Sequence, residues 1–195
     1  HTLRALDNCP YIGEIVVVTR GDLIVPVGHL CKEGAFGKVA KVIAGGETRA
    51  ISVLAGIREV SPQYELIAIH DGARPLVTQE ILAAAIEKAG ECGAAAPAVP
   101  VKDTVKRTVN GVVEETLDRA ALYAVQTPQV FEAGLIKAAL AKALDDGAEL
   151  TDDCTAVERL GMSVCLTEGS HENLKITTPE DMVLAEALLE RREGL

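Results

Sequence analysis

The stretch from Leu66 to Pro75 constrains this chain more than any other. Leu66-Ile67-Ala68-Ile69 is a short apolar run of the kind that forms a buried parallel strand. It stops at His70-Asp71-Gly72-Ala73-Arg74-Pro75. A carboxylate, a glycine and a guanidinium therefore arrive together where a strand ends. Open α/β sheets bind ligands beyond the carboxyl ends of their strands. Gly72 permits backbone angles that a Cβ would forbid. Asp71 can hold a metal or a hydroxyl, and Arg74 can grip phosphate as a two-pronged fork. Taken alone, the same residues also describe a strand, a turn and a surface salt bridge.

The chain around this stretch repeats the pattern of apolar strand, polar loop and amphipathic helix. Ile15 to Thr19 is β-branched and reads as a buried strand, and Lys38 to Ile43 as another. Gly45-Gly46-Glu47-Thr48-Arg49 leads from a strand into a helix, where two glycines let backbone N–H groups approach a phosphate or nucleotide. Thr78 caps a helix carrying Ile81, Leu82, Ala85, Ile86 and Ala89 on one face, with Gly90 and Gly93 ending it. Ala94 to Val99 follows as a strand. A helix with Leu135, Ala139, Leu140 and Ala143 inward closes at Gly147. Thr151-Asp152-Asp153 opens another, stopped by Gly161. Ser163 to Thr167 and Asn173 to Ile176 read as the last strands. Thr178-Pro179-Glu180-Asp181 starts a final helix with Val183, Leu184, Ala187 and Leu188 toward the core. Gly21 to Gly37 mixes glycine, proline and polar residues and gives no assignable pattern. The alternation implies a mostly parallel sheet with helices on both faces, in a single domain over 1–195.

One segment breaks the rhythm. Thr104 to Val109 and Val112 to Leu117 flank Asn110-Gly111, a strong hairpin signal. The first arm is basic and the second acidic, so charges pair across the strands. A two-stranded excursion barely covers its own apolar face, which points to packing on another subunit.

The formal net charge of −10 argues against a basic nucleic-acid surface, so anionic ligands would need a local cluster of cations. The five cysteines are scattered and form no C-x-x-C pair, which favours a reducing cytosol over zinc or a disulfide framework. No signal peptide and no membrane-length apolar run is present, so a cytoplasmic location without membrane contact is expected.

The loops on the strand-end rim hold Gly45, Gly46, Asp71, Arg74, Thr104, Arg119, Thr127, Thr151, Asp152 and Lys175. G-x-S-x-G, H-E-x-x-H and Cys/His pairs are absent. Cations, hydroxyls and a carboxylate suit phosphoryl or nucleotidyl transfer, which needs positioning and charge neutralisation more than a protein nucleophile. Each member also has a plainer reading. Lys175 could be a solvated lysine, Arg119 an ion pair with Asp118, His70 a packed histidine and Thr151 a helix cap.

Taken in order, the segments resemble the 2-C-methyl-D-erythritol 4-phosphate cytidylyltransferase family. The matching pieces are Gly45-Gly46-x-x-Arg49-x-x-Ser52-Val53, His70 to Pro75, Val101 to Lys106, Asp118-Arg119, Thr127-Pro128-Gln129, Thr151-Asp152-Asp153 and Asn173 to Asp181. The resemblance implies a Rossmann-like nucleotidyltransferase fold and a homodimer whose hairpin arm, 101–121, completes the partner's site. It implies CTP and methylerythritol phosphate as substrates, with Mg²⁺ on the triphosphate. Gly45, Gly46, Glu47, Ser52, Asp71 and Gly72 would bind the nucleotide, with Asp71 near the metal. Arg74, Thr104, Thr127 and Thr151, with Asp71, would hold methylerythritol phosphate. Lys175, and Arg119 from the partner's arm, would position the attacking oxygen. The family's glycine-rich triphosphate loop is expected ahead of His1, so residues 1–195 alone are expected to bind CTP poorly. Glu47 stands where the family commonly has aspartate. The rival expectations are a ribitol 5-phosphate cytidylyltransferase, a sugar-phosphate nucleotidyltransferase using UTP or GTP, and a non-catalytic protein of this fold.

Overall fold

The computed structural model describes residues 1–194; Leu195, the last residue of the expected domain, lies outside them. After a short helix α1 (Thr2–Asp7), the β-branched run forms β1 (Ile15–Thr19), which pairs in parallel with β2 (Val39–Ala44). Between them the unassigned stretch forms a 3-10 turn and helix α2 (Ile24–Glu33). Pro26 falls in the first turn of α2, where its missing N–H costs nothing. Ile24, Val27 and Cys31 fall at helical spacing, but Pro26 and Gly28 inside the run and Gly21 and Gly34 around it hide the pattern, and only Cys31 is buried.

A second sheet carries β3 (Leu66–Ile69), β8 (Gln129–Glu132), β4 (Ala94–Pro100) and β7 (Tyr123–Val125) in that order, with β9 (Cys165–Glu168) also on β4. Its pairing is mixed, and this corrects one detail of the sequence reading. The β4–β9 ladder is parallel, but β8 runs antiparallel to both β3 and β4, and β7 antiparallel to β4. Strands β3, β4 and β9 therefore point one way, and two short reversed strands, β7 and β8, lie along one side of β4. Each is only three or four residues long, too short to show a period, and neither was anticipated.

β4 is buried on both faces, from Ala94 through Val99. Ala94 and Ala96 pack with residues of α3 (Arg49–Glu59), α5 (Ala133–Asp145) and α6 (Asp153–Arg159), while Ala95 packs with α4 (Gln79–Cys92). Period-two geometry sends neighbouring side chains to opposite faces, so helices cover both sides of the sheet as expected. The first face holds Phe131, Ile136 and Leu140, all fully buried. Helix α4 runs through Gly90 and ends at Gly93, whose φ of 81° suits a residue without Cβ.

Two further expectations are overturned. Asn173 to Ile176 is not a strand: its backbone bonds are a local one, Asn173 N–H to the Ser170 carbonyl, and a single distant one, Ile176 N–H to the Ala73 carbonyl, and side chains tie the rest. The last helix, α7 (Pro179–Glu193), has its capping box as read, but Val183, Leu184 and Ala187 are exposed. Its inner stripe is Ala185, Leu188, Leu189 and Arg192, one step round the helix, and Arg192 donates to the Leu76 carbonyl at 3.0 Å.

The hairpin is as read: β5 (Lys106–Val109) and β6 (Val112–Thr116) join at Asn110 and Gly111, both at positive φ. Arg107 reaches Glu115 at 2.8 Å and Glu114 at 3.0 Å. Every residue of both strands is exposed.

Among the described residues no strand pairing joins β1 to β3. Gly13 packs against Tyr64, and Ser61 Oγ donates to Glu14 at 2.5 Å, so both strands begin at the same end and run the same way. A cleft of about 780 Å³ lies between them, lined by Ile15, Val16, Val18 and Leu66 to Ile69. No helix among the described residues is long and apolar enough to cross a membrane.

Candidate active site

Strand β3 ends at Ile69, and after His70 the next four residues fold back through an Arg74 N–H to Asp71 carbonyl bond of 3.0 Å. Reversed strands β7 and β8 are interrupted at Gln126-Thr127-Pro128, which brings Thr127 out of the ladder and against this loop. The Asp71 N–H donates to Thr127 Oγ1 at 3.1 Å, and Thr127 Oγ1 lies 3.0 Å from His70 Nδ1. His70 Nε2 is 3.3 Å from the Arg74 carbonyl. Burial holds the His70 imidazole neutral, with its pKa pushed down to about 4. A neutral ring has one donor and one acceptor, so the proton sits on Nε2 and the hydrogen bonds run one way from Asp71 to Arg74. The plainer reading of His70, a packed histidine bonded to backbone, is therefore what the structure shows.

Asn173, fully buried, ties the other side. Its Nδ2 donates to the Thr127 carbonyl at 3.0 Å and to Gln126 Oε1 at 3.2 Å, while Arg74 Nη1 donates to the Asn173 carbonyl at 2.6 Å. Two residues on, Lys175 Nζ stands 3.0 Å from Asp71 Oδ2, and Arg74 Nε stands 3.6 Å from the same oxygen. Burial alone would push the Asp71 carboxyl up. Lys175, Arg49 and Arg74 outweigh it and hold it below the ordinary carboxylate range.

These side chains surround a pocket of about 170 Å³ whose walls include Asp71, Arg74, Thr127, Thr151, Asp152 and Lys175. A locally cationic pocket thus forms in a chain of net charge −10. Thr151 Oγ1 lies 3.2 Å from Thr155 Oγ1, and the cap of α6 is Asp152, not Thr151. The Thr151 hydroxyl is thereby left on the pocket wall.

The larger cleft between β1 and β3 carries Gly45, Gly46, Ser52, Asp71 and Gly72 on its walls. Ser52 closes the glycine turn: Gly46 N–H donates to its Oγ at 3.0 Å, and that hydroxyl donates to the Thr48 carbonyl at 2.9 Å. A Cβ on Gly45 would lie 2.6 Å from Ser52 Oγ, and one on Gly46 would lie 2.2 Å from Ile51 Cγ2. The glycines are required by this close approach, since neither has positive φ.

Three anticipated residues stand apart. Glu47 lines neither cavity. Thr104 and Arg119 lie on the exposed arm, outside both cavities of their own chain. Arg119 donates to the Lys102 carbonyl at 2.6 Å, while Asp118 accepts from the Ala120 N–H. No group of three or more His, Cys, Asp or Glu side chains with metal-holding geometry exists among the described residues. Asp71 is paired with cations, and Asp152 is the other carboxylate on the pocket wall, so the site fits Mg²⁺ only if substrate phosphates supply most of its ligands.

Residues without an assigned role complete the frame. Arg49, first in α3, donates Nη1 and Nη2 to Asp153 at 2.8 and 2.6 Å, and Asp153 is 1% exposed. Gln129 Oε1 accepts the Asp153 N–H at 2.9 Å, and its Nε2 donates to Asp152 at 2.8 Å. Burial pushes the Asp153 carboxyl up, and Arg49 opposes it. Arg49, Gln129, Asp153 and Asn173 all stood inside the motifs quoted above; what spacing could not show was which of them face each other.

The family of 2-C-methyl-D-erythritol 4-phosphate cytidylyltransferases matches residues 1–191. A protein of that name from Desulforamulus reducens is 47% identical over 194 residues, covering 98% of this chain and 83% of its own length. One from Caldanaerobacter subterraneus is 46% identical, covering 98% and 85%. The crystal structure of 4-diphosphocytidyl-2C-methyl-D-erythritol synthase from Anaerococcus prevotii superimposes with a TM-score of 0.90 at 33% identity, covering 97% of this chain and 84% of that one. The Thermus thermophilus cytidylyltransferase structure gives 0.73 at 32%, covering 90% and 98%. Cationic pocket, glycine-turn cleft and near full-length similarity agree: the chain belongs to the 2-C-methyl-D-erythritol 4-phosphate cytidylyltransferase family.

Proposed function

We propose that this chain, as one nucleotidyltransferase domain, transfers CMP from CTP to 2-C-methyl-D-erythritol 4-phosphate. An oxygen of the methylerythritol phosphate attacks the α-phosphorus of CTP; the new P–O bond forms as the bond to the β-phosphate breaks, and pyrophosphate leaves. The products are 4-diphosphocytidyl-2-C-methyl-D-erythritol and pyrophosphate. The observation carrying this reading is the convergence of Asp71, Arg74, Thr127, Thr151 and Lys175 on one pocket. Two anions repel, and in-line attack requires cations fixed beforehand around the place where they meet.

In this reading Arg74, Thr127 and Thr151 hold the methylerythritol phosphate, with Thr104 from the arm. Lys175 orients its attacking oxygen and balances Asp71. Gly45, Gly46, Ser52 and Gly72 surround the nucleotide, and Glu47, the next residue of the glycine turn, meets it from outside the cleft wall. Asp71 would hold Mg²⁺ carried by the triphosphate, and the ion would supply charge neutralisation on the phosphates. Arg119 acts across a homodimer formed through arm 101–121, whose Val109, Val112 and Val113 are exposed in the single chain. A cytoplasmic setting fits a pathway working on soluble phosphates.

The test is pyrophosphate release by the intact protein with CTP and Mg²⁺, with and without methylerythritol phosphate. Release dependent on methylerythritol phosphate is expected, with ribitol 5-phosphate far slower. No release, or equal rates with ribitol 5-phosphate, overturns the assignment.

A further inference from the structure

Arg49 and Asp71 are the two residues that line both cavities, the nucleotide cleft and the cationic pocket. If two anionic ligands occupy the two cavities, their reacting phosphates meet at this shared wall. Asp71 is already neutralised by Lys175 and Arg74. Arg49 is the cation on the wall, and its side chain stays 39% exposed although two of its N–H groups are committed to Asp153. A guanidinium has five N–H donors, so three remain for a ligand.

Helix stability does not explain this placement. Arg49 is the first residue of α3, where the helix dipole disfavours a cation. Ion pairs built on a buried carboxylate are also poor stabilisers, because desolvation offsets their attraction. Yet this pair is elaborately held. Asp153 is the first residue of α6, Gln129 fixes its backbone N–H, and the same Gln129 amide reaches Asp152. The fork constrains the plane of the guanidinium as well as its position, which a point charge could not do.

We propose that Arg49 is a further phosphate-binding residue of the transfer reaction, acting at the junction of the two cavities, and that Asp153 is its positioning residue. The inference rests on the cytidylyltransferase reading. Arg49 neutralises charge on the phosphate under attack, and Asp153 with Gln129 holds the guanidinium edge toward that phosphate. A group aimed at developing charge lowers kcat when lost, whereas a mere strut lowers stability.

Steady-state kinetics of the intact protein test this with Arg49→Met, Arg49→Lys and Asp153→Asn, each assayed well below its own melting temperature. Arg49→Met is expected to lower kcat about 100-fold, the usual scale for losing one preorganised donor group. Arg49→Lys keeps the charge but loses the fork, and Asp153→Asn frees the guanidinium; each is expected to lower kcat about 10-fold, with KM for both substrates within about threefold. The double variant Arg49→Met/Asp153→Asn should be no slower than Arg49→Met, because Asp153 acts only through Arg49. Folded variants with kcat within threefold of wild type overturn the inference. So does a loss of activity that tracks melting temperature and vanishes on cooling. Should Arg49→Met fail to fold, Arg49→Lys and Asp153→Asn decide the matter by the same kcat criterion. An inactive wild-type protein would overturn the cytidylyltransferase reading itself, whereas an active one with indifferent variants overturns only the role of Arg49.

Discussion

The loop from His70 to Arg74 and the hairpin arm are opposite ways of presenting polar residues. Around the loop, every anchor is internal: Thr127, His70, Asn173 and Arg74 hold one another by directed bonds under cover of the sheet. The arm meets no such anchors. Its strands are exposed throughout and its bonds are mostly to itself. The first region is preorganised by this chain alone; the second has a defined shape but no surface of its own to work against. Residues on the loop are held where they stand, while Arg119 lies on the exposed arm, outside both cavities of its own chain.

That contrast can be broken at its strongest point first. Lys175→Ala removes a half-exposed cation from a pocket that other residues hold in shape, so turnover should fall by about 10²–10³-fold. Its melting temperature should move by only a few degrees. Stopped-flow or coupled pyrophosphate assays beside calorimetry will show whether the two losses separate.

The rigidity of the loop has a signature in acid. His70 titrates near 6.5 when unfolded and at about 4 in the fold. A depressed folded pKa means that its contribution is present above the unfolded value and is lost as pH falls through the folded one. At 1.36 kcal/mol per unit, about 3 kcal/mol of stability should drain away between pH 6.5 and pH 4. Urea midpoints across this range should fall in the wild type, and His70→Gln should flatten that limb.

The arm gives a smaller effect with a sharper diagnosis. Arg119→Ala should slow turnover by about 10-fold, the loss of one charged hydrogen bond. Mixing Arg119→Ala with Lys175→Ala subunits then distinguishes action across an interface from action within one chain. If the arm serves its partner, random re-pairing restores about a quarter of wild-type activity, because half the dimers carry one intact site of two. No recovery on mixing would mean that Arg119 serves its own subunit. Least of all, Val112→Ala should change monomer stability by no more than about 0.5 kcal/mol, since the side chain is 70% exposed. A larger loss that depends on protein concentration would report that the valine is covered by another chain.

Much of this was legible in the residues. β1, β3 and the hairpin turn were readable because β-branched runs end on glycine or on Asn-Gly, signals that act over a few residues. The members of the cationic pocket were readable because strand ends in an α/β fold share a rim. What escaped was set by partners distant in sequence. β7 and β8 exist because β4 offers an edge to them, not because Tyr123 to Val125 prefers to be a strand. α7 turned its other stripe inward because Arg192 reaches the Leu76 carbonyl and pairs with Glu172. The Arg49–Asp153 fork joins residues 104 positions apart, a distance no local pattern spans.

The Arg49–Asp153 fork has a mechanical meaning. It ties the first residue of α3, just past the Gly45-Gly46 turn, to the first residue of α6, just past Thr151. Two N–H···O bonds from one guanidinium resist twisting as well as separation. The glycine turn and the Thr151 wall are therefore clamped in one orientation, as two plates are by a pair of rivets where a single one would let them swivel.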